Sequence, residues 1–200
     1  RIKDRFRGHP EGSEMRKRLS GSLRGTTESD GSPRFAALRG NVNLYRLFLE
    51  RSMKLVHEGG RIRMIVPDAL LREKSSIALR KLMVESNQWV SSWSFPEPQR
   101  VFPGASQGVL VIGLTIGGNT EMMTSFGPLE VQDLSVSTGL DSKAPFLEME
   151  RGPWSVWTDM AWAVPRMPRE PYMRNAVLKA IDDLADQPRL GEEGNWLNPT

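Results

Sequence analysis

The chain has 200 residues, 38% of them hydrophobic, which is enough for one core carrying appended irregular segments. It holds no cysteine and only His9 and His57, so disulfides and thiolate metal sites are excluded and a histidine-rich metal centre is disfavoured. The formal net charge of +3 hides an asymmetry: residues 1–40 carry ten Lys/Arg against five Asp/Glu, the balance of a segment suited to a polyanion or of a solvated loop kept soluble by its arginines.

That first stretch is rich in Gly, Ser and Thr and reads as loop, with a short helix near Glu14–Leu23. From Asn43 the pattern tightens. Leu44, Leu47, Phe48, Arg51, Leu55 and Val56 recur at three- and four-residue steps, predicting a helix with that face inward, ending at His57-Glu58-Gly59-Gly60. His57 is expected in its last turn, where a cation favours the helix dipole. Gly60 to Pro67 (Gly-Arg-Ile-Arg-Met-Ile-Val-Pro) then reads as a buried strand of a parallel sheet, and the rest of the chain is organised around it.

Asp68 to Arg72 predicts a turn or short helix. Ser75 or Ser76 would cap a second helix whose face is Ile77, Leu79, Leu82 and Met83. Trp89 to Phe95 alternates as a strand does. Gly108 to Gly117 is nearly all apolar, as a central strand would be. The loop between them is too short for a helix, so these two strands are predicted to be antiparallel neighbours. Met122–Phe126 fits one more edge strand, residues 127–171 are expected to be irregular, and Tyr172–Ala185 is a clear helical pattern. The fold class is therefore α/β, the second half of a Rossmann-like sheet ending in an antiparallel hairpin. No apolar run approaches the roughly 20 residues that cross a bilayer, and a cytoplasmic location is expected. The chain opens on Arg1 in mid-pattern and is expected to be a piece of something longer.

Four stretches come in series: Asn43-Leu44-Tyr45-Arg46-Leu47-Phe48-Leu49-Glu50-Arg51, then Gly59 to Pro67, then Arg80, then Arg100-Val101-Phe102-Pro103-Gly104-Ala105 before an apolar strand. In order and spacing they resemble the C-terminal half of the catalytic domain in gamma-class adenine-specific DNA methyltransferases, including restriction-modification and phage-defence enzymes. The resemblance spans residues 42–118. It implies transfer of a methyl group from S-adenosylmethionine to the exocyclic amino group of an adenine flipped out of double-stranded DNA.

On the matching positions, the resemblance implies that Phe102 stacks on the flipped adenine and that Phe48 borders the adenosyl part of the cofactor. Read from the residues alone, Phe102 fits a plug in the hairpin core and Phe48 a core position of its helix equally well. The family's Asn/Asp-Pro-Pro-aromatic motif, its Gly-rich loop and its cofactor-binding acid are missing, and Asn198-Pro199-Thr200 is only a superficial echo. No catalytic and no metal-binding residue is therefore assigned. Residues 1–41 are expected to be a basic arm near DNA, with Arg16, Lys17, Arg18 and Arg24 as phosphate contacts. Residues 42–126 would be the half-domain, and 127–200 a linker and the start of a target-recognition region. Trp154, Trp157 and Trp162 there would anchor an irregular segment or stack on nucleotides. Restriction or defence subunits are expected partners. The alternatives are a non-catalytic DNA-binding or complex-forming remnant, and an unrelated Rossmann-like enzyme.

Overall fold

The computed structural model describes residues 14, 18, 21–23, 25–37, 43–97, 101–135 and 139–185. Its element order is α1 (Leu44–Leu55), β1 (Arg61–Pro67), α2 (Ile77–Glu85), β2 (Asn87–Phe95), β3 (Val109–Ile116), β4 (Met122–Phe126), β5 (Leu134–Ser135), β6 (Gly139–Leu140), β7 (Phe146–Glu150), α3 (Arg151–Trp157) and α4 (Pro171–Ala185). Five strands form one mixed sheet in the order β1-β3-β2-β4-β7, and β5-β6 form a separate hairpin. The fold is α/β, as the sequence pattern predicts.

The apolar strand β3 lies between β1 and β2, antiparallel to both, so the short β2–β3 loop makes the predicted hairpin. Leu110, Ile112, Leu114 and Ile116 point to one face. There they meet Leu49 and Met53 of α1, Leu79 and Met83 of α2, and Trp89 of β2. Each such fully buried aliphatic contributes about 1.5–3 kcal/mol relative to exposure. On the other face Val109 and Val111 join Trp93, Phe95 and Phe102 in a smaller cluster under Leu129, Leu140 and Ala144.

Four expectations are corrected. β1 is not buried between parallel neighbours: among the described strands it pairs only with β3 and stands at the edge of the sheet. Its residues alternate, with Ile62 and Val66 inward and Arg61, Arg63 and Ile65 outward, the period of a half-buried strand. β4 is not an edge strand, because β7 pairs with it antiparallel while β2 pairs with it parallel. Residues 127–171 are not wholly irregular, since they contain β5, β6, β7 and α3.

The fourth correction concerns α1. Its buried residues are Arg46, Leu47, Leu49, Glu50 and Met53, whereas Leu44, Phe48 and Leu55 are exposed. The inward face holds two charged groups that are satisfied locally. Arg46 pairs with Glu73 and donates to Ser75 Oγ at 2.7 Å, and Glu50 accepts from the backbone amide of Ala37 at 3.2 Å. α1 also ends at Leu55, so Lys54 rather than His57 is the cation of its last turn. The chain then turns at Gly59, with φ +78, and Gly59 N–H donates to the carbonyl of Ile116 at 2.8 Å, which fixes the start of β1 against the end of β3. Ser76 is the residue before α2, as predicted, but its hydroxyl makes no cap bond.

Candidate functional site

β1, β2 and β4 run in the same direction, since β1 and β2 are each antiparallel to β3 and β4 is parallel to β2. Their carboxyl ends, Pro67, Phe95 and Phe126, therefore open on one rim of the sheet, the rim where ligands bind in open α/β sheets. Three connections gather there: a 3-10 turn over Asp68–Leu71, the β2–β3 loop, and Gly127-Pro128.

Phe102 is in the β2–β3 loop. Its ring stands edge-on to Phe95, centroids 5.6 Å apart and planes at 77°, packed against the smaller cluster, and the residue as a whole is half-buried. A turn closes behind it, with Ala105 N–H donating to the Phe102 carbonyl at 3.1 Å and Gly104 at φ +84. Where the loop re-enters the sheet, Asp68 N–H donates to the Gly108 carbonyl at 3.0 Å. A Cβ at Gly108 would sit 2.5 Å from Asp68 Cγ, so only glycine lets the loop and the turn approach this closely.

Asp68 is buried and holds the charge of the rim. Arg72, one turn later, donates to its Oδ2 at 2.6 Å, and Arg166 approaches the same oxygen at 3.6 Å. Burial, above all, pushes the Arg72 guanidinium below its ordinary value. Asp68 opposes that shift, and the neighbouring Arg166 cation adds to it. Two cations thus share one carboxylate beside a cavity of about 210 Å³ lined by both arginines, Ser94 and Ser125.

Arg166 reaches this place on a strap made of residues 161–167. Asp159, Met160 and Trp162 all have positive φ (53, 56 and 54), a conformation that costs non-glycine residues energy and is held only by surrounding structure. The holding contacts are visible: Val164 N–H donates to the Leu71 carbonyl at 2.9 Å, and Trp162 is fully buried. Arg80, also buried, donates to the carbonyls of Ala161 (2.9 Å), Leu70 (2.8 Å) and Glu73 (3.0 Å), tying strap to turn. Desolvation holds the Arg80 guanidinium down at about 10, still charged at neutral pH.

Beyond the strap, Arg169 makes a bidentate pair with buried Asp133, at 2.6 and 2.7 Å. This pair borders a wider cavity of about 840 Å³ that also touches Val101, Pro96 and Pro128. Hydrogen bonds from Arg169 hold the Asp133 carboxyl below its usual value near 3.8. A depressed folded-state value adds stability that is present above the unfolded value and is lost as pH falls through the folded one. Asp133→Asn should therefore lower the melting temperature at neutral pH and flatten its fall between about pH 5 and pH 2; thermal melts of both proteins across that range check it. Parallel curves would show that the pair is not the acid-sensitive link.

Of the predicted site residues that the structure describes, only Phe102 is at this rim. Phe48 is exposed on α1 beside Leu44, outside the core face its spacing equally suited. Arg18 is exposed and pairs with Glu14 at 2.8 Å. Arg16, Lys17 and Arg24 lie outside the described residues, as do His9, Arg100 and Asn198 to Thr200. Trp154 and Trp162 are core residues, and the Trp157 side chain is outside what is described. Among the described residues no group of His, Asp and Glu could hold a metal ion, and no helix is long and apolar enough to cross a membrane. The sequence reading missed Arg72, Arg166 and Arg169. A signal existed in Pro165-Arg166-Met167-Pro168-Arg169, two cations fixed by prolines, but its position at the rim depends on contacts distant in sequence.

The family described as Eco57I restriction-modification methylase matches residues 22–102. Over these residues the chain resembles the restriction-modification methylases. The matched stretch runs through α1, β1, α2 and β2 and ends on Phe102, less than half of the chain. No curated protein matches. Among solved structures, the type IIG restriction endonuclease BpuSI is 19% identical with a TM-score of 0.48, covering 67% of this chain and 17% of its own. A structure of a type I restriction-modification system is 14% identical with a TM-score of 0.47, covering 74% of this chain and 40% of its own. The M protein of the type I restriction enzyme EcoKI is 12% identical with a TM-score of 0.47, covering 76% and 47%. The chain thus spans less than half the length of each. At TM-scores under 0.5 these likenesses add nothing to the family match.

Proposed function

We propose that the full-length protein is a DNA adenine methyltransferase and that this methylase-like segment supplies the base-stacking rim of its catalytic sheet. The observation that carries the reading is Phe102, which closes the family match and is half-buried at the carboxyl ends of three parallel strands. A base taken out of the duplex loses its stacking partners, and an aromatic face at a strand mouth replaces them. Edge-on packing against Phe95 holds that ring in place before the base arrives.

The methyl donor is S-adenosylmethionine, which when bound presents a sulfonium methyl for transfer to an exocyclic amine. On this side of the reaction the chain can hold the purine portion of the donor: Phe48, 65% exposed, offers a flat apolar surface next to exposed Leu44. Methyl transfer would form the N–C bond as the donor's S–C bond breaks and would release the amine's proton to solvent; the Asn/Asp-Pro-Pro-aromatic acceptors that would hold the amino group by hydrogen bonds are not among these 200 residues. The reading makes Arg16, Lys17, Arg18 and Arg24 phosphate contacts in a basic arm over 1–41 and residues 42–126 the half-domain, whose sheet β7 extends and whose core Trp154 and Trp162 enter, so that the approach to target recognition follows the strap. Double-stranded DNA and restriction or defence subunits are its partners, in the cytoplasm.

Phe102→Ala in the full-length protein should lower methyl incorporation into duplex DNA roughly 10- to 100-fold, the worth of one aromatic stack, while Phe102→Trp retains most activity. Incorporation that is unchanged in the alanine variant would remove Phe102 from the site. DNA binding without any methyl incorporation by the unaltered protein would favour a non-catalytic remnant.

A further inference from the structure

We propose that the cavity beside Arg166 and Arg72 seats a backbone phosphate of the nucleic acid whose base reaches Phe102, with Arg166 as the contacting cation. The inference rests on the nucleic-acid reading above. Three features of the cavity favour an anion there. Its lining includes two guanidinium groups and the hydroxyl residues Ser94 and Ser125, and no carboxylate among the described residues. One carboxylate serves two guanidinium groups: Asp68 is at 2.6 Å from Arg72 and 3.6 Å from Arg166, so the three together carry a net positive charge. Arg166 keeps 71% of its side chain exposed, whereas Arg72 is largely covered, so Arg166 is the one a ligand meets first.

The position of the cavity selects the kind of anion. Pro96 and Pro128 line both this cavity and the wider one that touches Val101, the residue before Phe102. The two cavities therefore adjoin on the carboxyl rim, and the wider one is lined by Glu97, Glu130 and Glu170 beside Arg169. A polymer with anionic and flat groups in alternation fits with its phosphate at the arginine end, since the carboxylates of the wider cavity repel a phosphate there. The carboxylate of the methyl donor is the other anion available to the reaction, and the experiment distinguishes the two.

The test uses the full-length protein, a fluorescently labelled duplex oligonucleotide and a salt series. Arg166→Gln should reduce the slope of log affinity against log salt by about 1, the effect of one phosphate contact, and weaken binding at low salt by about tenfold on every sequence alike. Affinity for S-adenosylmethionine, measured separately by calorimetry, should not change. Lys179→Gln, removing an exposed cation already paired with Asp183 on α4, should leave the slope where it was. The proposal is overturned if the Arg166 variant keeps the original slope, if the Lys179 variant loses as much, or if donor affinity falls while DNA binding does not. An unaltered protein that binds no DNA at all would overturn the nucleic-acid reading and this inference together. Loss of incorporation in Phe102→Ala beside an intact salt slope in Arg166→Gln would sink this inference alone.

Discussion

Arg80→Leu is expected to cost the fold about 3 kcal/mol. Leucine fills part of the volume but donates nothing, and three carbonyls, those of Leu70, Glu73 and Ala161, are left facing an apolar interior. Hydrogen bonds from a charged donor are worth about 1.5–3 kcal/mol each, more in total than the burial penalty that depresses the Arg80 guanidinium. Arg80→Lys should recover little, because one ammonium cannot reach carbonyls that a planar fork spans on two sides. Urea unfolding checks this: the midpoint should fall in both variants with the slope unchanged. A midpoint close to that of the unaltered protein would show that backbone packing alone joins strap and turn.

The same residue marks what sequence pattern can and cannot reveal. Arg80 is in the run Ile77-Ala78-Leu79-Arg80-Lys81-Leu82-Met83, where periodicity gives the helix and two of its buried residues, Leu79 and Met83, while Ile77 and Leu82 are half-buried. Nothing local shows that Arg80 points inward while Lys81 points outward. α1 fails for a related reason: buried Arg46 and Glu50 occupy the core side, so the apolar residues Leu44, Phe48 and Leu55 trace the opposite face. β3 was legible because every residue in it is apolar or glycine apart from Thr115, and the β2–β3 pairing followed from the length of the loop. β7 was not, because Phe-Leu-Glu-Met-Glu presents only Leu147 and Met149 inward and pairs with a strand some twenty residues earlier.

The site divides along the same line. Phe102 could be placed from its neighbours in sequence, since the end of β2 fixes which rim its loop occupies. Arg72, Arg166 and Arg169 could not, because the first is set by a turn and the others by a strap whose course depends on positive φ at Asp159, Met160 and Trp162. Met and Trp carry no local preference for that conformation and Asp only a modest one, so the packed surroundings impose it.

Trp162→Ala is expected to be the most damaging change to both stability and the rim, at about 3–5 kcal/mol for the cavity left behind. The indole is fully buried, edge-on to Trp154 at 5.2 Å, beneath the Arg151 guanidinium at 5.2 Å, and donates to Glu85 at 3.0 Å. Trp154 in turn donates to the Ala163 carbonyl at 2.8 Å and packs on Trp89 of β2. Together these contacts offset the unfavourable φ of the strap, so losing the indole removes the reason for the strap to stay on the sheet. Trp162→Phe keeps most of the ring contact without the bond to Glu85, and should lose about 1–2 kcal/mol. If the strap positions Arg166, the alanine variant, assayed where it remains folded, should show the same reduction in salt slope as Arg166→Gln, and the phenylalanine variant should not. Hydrogen exchange at Val164 N–H, whose partner is the Leu71 carbonyl, reads the same event directly: its protection should fall in the alanine variant well before that of β3. Equal loss of protection at both places would mean that strap and sheet unfold as one unit, and that Arg166 is held by the whole core rather than by this tryptophan.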